Sequence, residues 1–139
     1  MTDAAVPNLQ SALGLVRVVR QDADRVAIEY QVAAHMCHSG GVAQGGFVCG
    51  WIDAAMARAS MIRTPEMTPM SLDLKVSFFA PARPGLVIAE GWIERGGRST
   101  CFAEGRLTNA AGEVLAKASS TIRLIPSAVV QATTRRAME

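Results

Sequence analysis

One stretch limits what this chain can become. His38-Ser39-Gly40-Gly41-Val42-Ala43-Gln44-Gly45-Gly46-Phe47 runs directly into Val48-Cys49-Gly50-Trp51-Ile52-Asp53-Ala54-Ala55-Met56-Ala57-Arg58-Ala59. A glycine-rich loop therefore opens an almost wholly apolar helix, expected to end near Arg63, with the Asp53 carboxylate in its middle. An unpaired carboxylate in a core costs several kcal/mol or has its pKa driven upward. Asp53 must be tied into a hydrogen-bond network or face a cavity. The helix is apolar nearly all round, through Phe47, Val48, Trp51, Ile52, Ala54, Ala55, Met56, Ala59 and Met61. One sheet would cover only a stripe of it, and a helix of this kind is normally fully buried. A second subunit over the remainder is the simplest remedy, so a homodimer is expected.

The flanking chain reads as strands. Leu13 to Val19 is apolar and β-branched, and Gln21-Asp22-Ala23-Asp24 reads as a turn. Val26, Ile28, Tyr30 and Val32 then alternate with Arg25, Ala27, Glu29 and Gln31, the mark of a half-buried strand. Beyond the helix, Thr64-Pro65-Glu66-Met67-Thr68-Pro69 breaks the helical pattern. Met70, Leu72, Leu74, Val76 and Phe78 are expected on one face of the next strand, with Ser71, Asp73, Lys75 and Ser77 on the other. Pro81–Gly85, Gly96-Gly97 and Asn109–Gly112 are turn signals separating strands over 86–95, 100–108 and 114–124. Short connections between consecutive strands favour an antiparallel sheet with one long helix laid on its apolar face. Residues 1–12 are expected to be a mobile end or short helix, 13–125 a single domain, and 126–139 a mobile tail.

A chain of 139 residues can bury a real core as one domain. Its net charge of +2, with scattered Lys and Arg, argues against nucleic acid as the partner. No apolar run approaches the ~20 residues needed to span a bilayer. Met1 to Pro7 lacks the basic start and apolar core of a signal peptide. The three cysteines, Cys37, Cys49 and Cys101, show no framework spacing. The cytoplasm is the expected compartment.

The order of elements, and Gly40-Gly41-Val42-Ala43-Gln44-Gly45-Gly46 leading to Asp53, resemble the hot-dog fold thioesterases of the phenylacetic-acid-degradation (PaaI-like) group. The resemblance covers about residues 13–124. It includes Met70-Ser71-Leu72-Asp73-Leu74-Lys75-Val76-Ser77-Phe78-Phe79-Ala80-Pro81-Ala82-Arg83-Pro84-Gly85 and the hairpin segment Gly112-Glu113-Val114-Leu115-Ala116-Lys117-Ala118. It implies an α+β architecture, an antiparallel sheet wrapped around one long central helix, and hydrolysis of acyl-coenzyme A thioesters. It also implies roles for residues. The Gly45 N–H would polarise the thioester carbonyl, and Asp53 would act as general base or nucleophile. His38 would orient substrate or water, and Ser71 would assist near the water. Gln44 stands where the family commonly has His; Gln44 and Gly46 are expected to bind substrate by hydrogen bonds, but Gln44 cannot titrate near neutral pH. No cofactor is implied, because coenzyme A is part of the substrate.

The chemistry also stands on the residues. Thioester hydrolysis needs an activated water or carboxylate nucleophile and a group to hold the developing oxyanion. Asp53 offers the first, and the unblocked amides of a helix N-terminus offer the second. Eight residues of helix, ~12 Å, separate Gly45 from Asp53, too far for both to grip one thioester. The two are therefore expected to meet across a dimer two-fold, and a dimer of dimers (a homotetramer) is the expected assembly. Trp51, Met56, Met61, Phe78 and Phe79 are candidate pocket walls for an aromatic or medium-chain acyl group. Arg95-Gly96-Gly97-Arg98-Ser99 is the hairpin expected to meet coenzyme A phosphates, through Arg95, Gly97, Arg98 and Ser99. His35, Cys37 and His38 carry metal-compatible atoms, but no second ligand cluster accompanies them, and no metal site is expected. Two rival readings are a hot-dog hydratase acting on enoyl or 3-hydroxyacyl thioesters, using His38 with Asp53, and a non-catalytic acyl-thioester binder.

Overall fold

The computed structural model describes residues 8–138. Asn8 caps a single helical turn, α1 (Leu9–Ala12), by accepting the Ser11 N–H at 2.9 Å. Strands β1 (Leu15–Gln21) and β2 (Val26–Val32) follow, then a 3-10 turn (Ala34–Met36) and a two-residue hairpin, β3 (Cys37–His38) and β4 (Val42–Ala43). Gly40 and Gly41 at its tip have φ of 78° and 69°, left-handed conformations that side chains disfavour. The first glycine pair therefore serves the hairpin that aims the chain into α2 (Gly45–Arg63). Strands β5 (Met67–Ser71), β6 (Lys75–Phe78), β7 (Gly85–Gly96), β8 (Thr100–Asn109) and β9 (Val114–Pro126) complete the sheet, and α3 (Ser127–Met138) ends the described chain.

The large sheet is antiparallel, in the order β1-β2-β7-β8-β9-β5, with β6 also on β9. It curls around α2, whose Val48, Trp51, Ile52, Ala55, Met56 and Ala59 lie in the core with Ile28, Tyr30, Leu107 and Ile122. The closest approach is over Gly91 and Gly105, which face each other on β7 and β8. A Cβ on Gly91 would stand 2.5 Å from the Ala55 carbonyl carbon, and one on Gly105 would stand 2.6 Å from Ile52 Cγ2. These glycines let the helix lie directly on the sheet. The Trp51 indole N–H donates to the Leu13 carbonyl at 2.7 Å, tying α2 to the chain before β1.

Two expectations change. The strand expected over 70–78 is broken. Ser71 pairs with Ile122 but Lys75 with Ser119, so the edge strand carries one residue more than β9 across the same span. This is a β-bulge, and it reverses which residues point inward. Asp73 fills the gap: its Oδ1 accepts the Thr121 N–H and its carbonyl accepts the Ser120 hydroxyl, both at 2.8 Å. Met67 and Ser71 face the helix before the bulge, and Val76 after it. Ser71 thus belongs to the inner face, not the outer one.

As expected of a helix covered by one sheet, α2 keeps an open stripe within one chain. Gly50, Asp53, Ala54 and Ala57 are half-buried, and Met61 is 47% exposed. Along β5 and β6 and the residues that flank them, Leu72, Phe78 and Phe79 are each more than half exposed. The second change is at the C-terminal end, where the segment expected as a mobile tail is helical from Ser127 to Met138, with none of its residues buried. Of the expected N-terminal end, residues 1–7 lie outside the described chain, and 9–12 form the short helix.

Candidate active site

Asp53 does both things that its position allowed. Its Oδ1 accepts the Ser71 hydroxyl at 2.7 Å, and it lines a cleft of about 700 Å3 along the open side of α2. The bulge in the edge strand brings this hydroxyl to the helix; a regular strand would turn Ser71 away. The cleft is otherwise mostly apolar, with walls from Leu9, Leu13, Ile28, Ala54 and Met61. A carboxylate there, held by one hydroxyl and partly open, keeps a lone pair free for a proton or a carbonyl carbon. Cys49 lies one turn before Asp53. Burial pushes its thiol pKa up, and the Asp53 charge adds to that, so the group is a poor nucleophile.

A second cleft of about 400 Å3 lies at the N-terminus of the same helix and holds Gly45, His38, Phe78 and Phe79. Gln44 is the N-cap of α2. Its Oε1 accepts the Gly46 N–H at 2.7 Å, so that amide is already engaged. Among the described residues the Gly45 N–H meets no acceptor. The edge of the Phe78 ring lies 3.4 Å from where a Gly45 Cβ would be, leaving the amide beside an aromatic wall. His38 is exposed at the rim. Gln44 and Gly46, expected to bind substrate, instead bond each other as the helix cap, and Gly45 is the donor the helix leaves available to a ligand.

Within one chain, Asp53 with Ser71 and Gly45 with His38 occupy separate clefts. The hairpin of Arg95, Gly97, Arg98 and Ser99 is exposed and lines neither. It packs at the other end of α2, where Arg63 Nη1 donates to the Gly97 carbonyl at 3.1 Å. Of the expected pocket walls, Trp51 and Met56 are fully buried core residues, Met61 lines the first cleft, and Phe78 and Phe79 line the second. Among the described residues, no three His, Cys, Asp or Glu side chains are grouped to hold a metal ion.

One cleft residue escaped the sequence reading. Arg58 lines the Asp53 cleft, and its Nε donates to Gln21 Oε1 at 2.6 Å. The signal was present: Arg58 and Asp53 are the only charged residues of α2 before Arg63.

An antiparallel sheet curled around one long helix, with a carboxylate on the helix and a free amide at its N-terminus, defines a hot-dog enzyme. The thioesterase superfamily model matches residues 40–116, more than half of the chain, and the chain belongs to that family. A presumed esterase of Saccharolobus solfataricus is 27% identical over 103 residues, 74% of each chain. A crystal structure from Ralstonia eutropha JMP134, described as a presumed thioesterase and phenylacetic acid degradation-related protein, is 28% identical. It superposes with a TM-score of 0.77, covering 88% of this chain and 93% of its own. The E. coli PaaI protein, from the phenylacetic acid degradation operon, shares the fold at 18% identity and a TM-score of 0.76, over 83% and 86% of the two chains. The chain is a PaaI-like thioester hydrolase, as its helix and loop suggested.

Proposed function

We propose that this enzyme hydrolyses acyl-coenzyme A thioesters in the cytoplasm, at sites completed by a second copy of the chain. The observation that carries this reading is the Ser71–Asp53 hydrogen bond at 2.7 Å within a largely apolar cleft. Ser71 orients the carboxylate, which draws a proton from water or attacks the carbonyl itself. In either route a water oxygen ends on the acyl carbon, the carbon–sulfur bond breaks, and a proton ends on the departing sulfur. The Gly45 N–H receives the developing oxyanion. It lies ~12 Å along the helix from Asp53 of its own chain, so the two groups serve one bond only when contributed by different chains. Two α2 helices running antiparallel, with their half-buried stripes facing, meet that need. They also cover the apolar edge at Leu72, Phe78 and Phe79.

The geometry offers a clean test. Gly45 is the first residue of α2, where proline is tolerated, and Gln44 has φ −61° and ψ 138°, a conformation that proline accepts in its predecessor. Gly45→Pro therefore removes the N–H and little else. Homodimers of Asp53→Ala and of Gly45→Pro should each be inactive. Their heterodimer should recover about half the wild-type rate, because one site carries both lesions and the other none. Inactive heterodimers would refute the shared site. In the same assay, loss of an enoyl double bond without thiol release would favour the hydratase. Ligand binding without turnover would favour a binder.

A further inference from the structure

Among the described residues, Arg58 is the one basic side chain lining the Asp53 cleft, and its surroundings leave it underused. Four arginines make ion pairs among the described residues: Arg17, Arg20, Arg25 and Arg106. Arg58 does not; its hydrogen bond is to the neutral amide oxygen of Gln21. That bond takes Nε and fixes the plane of the guanidinium, while among the described residues the four N–H groups of the Nη1 and Nη2 edge meet no acceptor. Such an edge matches a carboxylate with two parallel bonds. A half-buried cation beside apolar walls, held in place by a neutral residue, is arranged for an anion that arrives with the ligand.

Position narrows the ligand. Arg58 follows Asp53 by five residues, about 7.5 Å further along the helix axis. With Asp53 at the thioester carbonyl, Arg58 stands at the far end of an acyl group lying along the cleft. Leu13, Ile28, Ala54 and Ala57 line the cleft along with them and suit methylenes rather than polar groups. We propose that the enzyme selects acyl groups that end in a carboxylate, dicarboxylic monothioesters of about six carbons, and that Arg58 reads the distal carboxylate. This rests on Asp53 being the site of hydrolysis. Gln21 is a positioning residue: it holds Arg58 and does not touch the ligand.

The shared chemistry is an anionic oxygen, and coenzyme A phosphates are its other source. Adipyl-coenzyme A and hexanoyl-coenzyme A separate the two, because both carry the same nucleotide and differ only at the distal carbon. Wild type should favour the adipyl ester in kcat/KM by about ten- to hundred-fold, the range of hydrogen bonds to charged groups. Arg58→Met, which keeps an apolar stem, should remove that preference through KM, and Arg58→Lys should keep part of it. Gln21→Ala should weaken it, again through KM with kcat little changed. Pantetheine thioesters of the same acids should show the same preference without the nucleotide.

Equal or reversed preference in wild type overturns the proposal. So does an Arg58→Met variant that slows both coenzyme A esters alike but neither pantetheine ester, which would put the guanidinium on the nucleotide. An unchanged preference with loss of the dimer on size exclusion would place Arg58 in a subunit contact and also overturns it. Failure here is distinct from failure of the hydrolytic site. If Asp53-dependent hydrolysis of the hexanoyl ester remains and only the preference is missing, the selectivity claim alone falls. If neither ester is hydrolysed, the reading of Asp53 falls with it.

Discussion

Gly91→Ala tests the link between packing and catalysis. The new Cβ would stand 2.5 Å from both the Ala55 carbonyl carbon and the Met56 nitrogen, and 2.6 Å from the Ala55 oxygen. All three are helix backbone, so no rotamer change relieves the clash. Ordinary carbon contacts begin near ~3.5 Å, so α2 must rise from the sheet by about 1 Å. Trp51, Ile52, Ala55 and Met56 are fully buried, and each loses contact as the helix lifts. Overpacking of this kind costs about 1–3 kcal/mol. Alanine also restricts the unfolded chain more than glycine, which returns at most about 1 kcal/mol. The clash wins, and the net loss is about 1–2 kcal/mol, or about 3–7 °C in Tm for a domain of this size. Thermal melts by circular dichroism, at matched protein concentration, give the number. The lift also carries Asp53 away from Ser71, so thioester hydrolysis measured well below the melt should fall too. A Tm equal to or above wild type would refute the claim that Gly91 is where the helix seats.

Ser71→Ala should lower kcat about ten- to hundred-fold, the worth of a hydrogen bond to a charged group, with a smaller change in KM; an unchanged kcat would leave the serine a bystander. Acid stability has a worked sign at Glu90, which meets Arg25 at 3.0 Å and Arg106 at 2.7 Å. Burial pushes this carboxyl up, but the Arg106 and Arg25 hydrogen bonds outweigh it and hold the pKa below its ordinary value. Its stabilisation is therefore present above the ordinary value of 4.5 and is lost as pH falls through the lower folded value. Glu90→Gln should flatten the decline of denaturation midpoints below about pH 4.5, and an equally steep decline would contradict the assignment. Asp22, held at about 2 chiefly by the Arg20 hydrogen bond, remains ionised and contributes its own decline at lower pH.

Much of this was legible because the signals were local. Asp53 in an apolar helix demanded a partner or a cavity, and the alternation through Val26, Ile28, Tyr30 and Val32 marked β2. The turn glycines and prolines bounded nearly every strand. What escaped depends on pairs distant in sequence. Alternation through Met70–Phe78 reads as one strand, and only the count against β9 reveals the extra residue that turns Ser71 inward. Gly91 and Gly105 look like weak points in strands until the helix is seen resting on them. Trp51 and Met56 could not be told from pocket walls, because a helix apolar on both sides does not declare which side its own sheet takes. Arg58 was passed over because a lone arginine is usually surface charge, and only the cleft distinguishes it. Gln44 resolves through geometry: it caps Gly46 and leaves Gly45 free, a division that residue types alone do not specify.

The most direct measurement is release of free thiol from a panel of acyl-coenzyme A esters by wild type and by Asp53→Ala and Asp53→Asn. With Asp53 as base or nucleophile, both variants should be slower than wild type by about hundred-fold or more on every ester that wild type hydrolyses, with the fold retained. Equal rates in wild type and either variant would contradict the account.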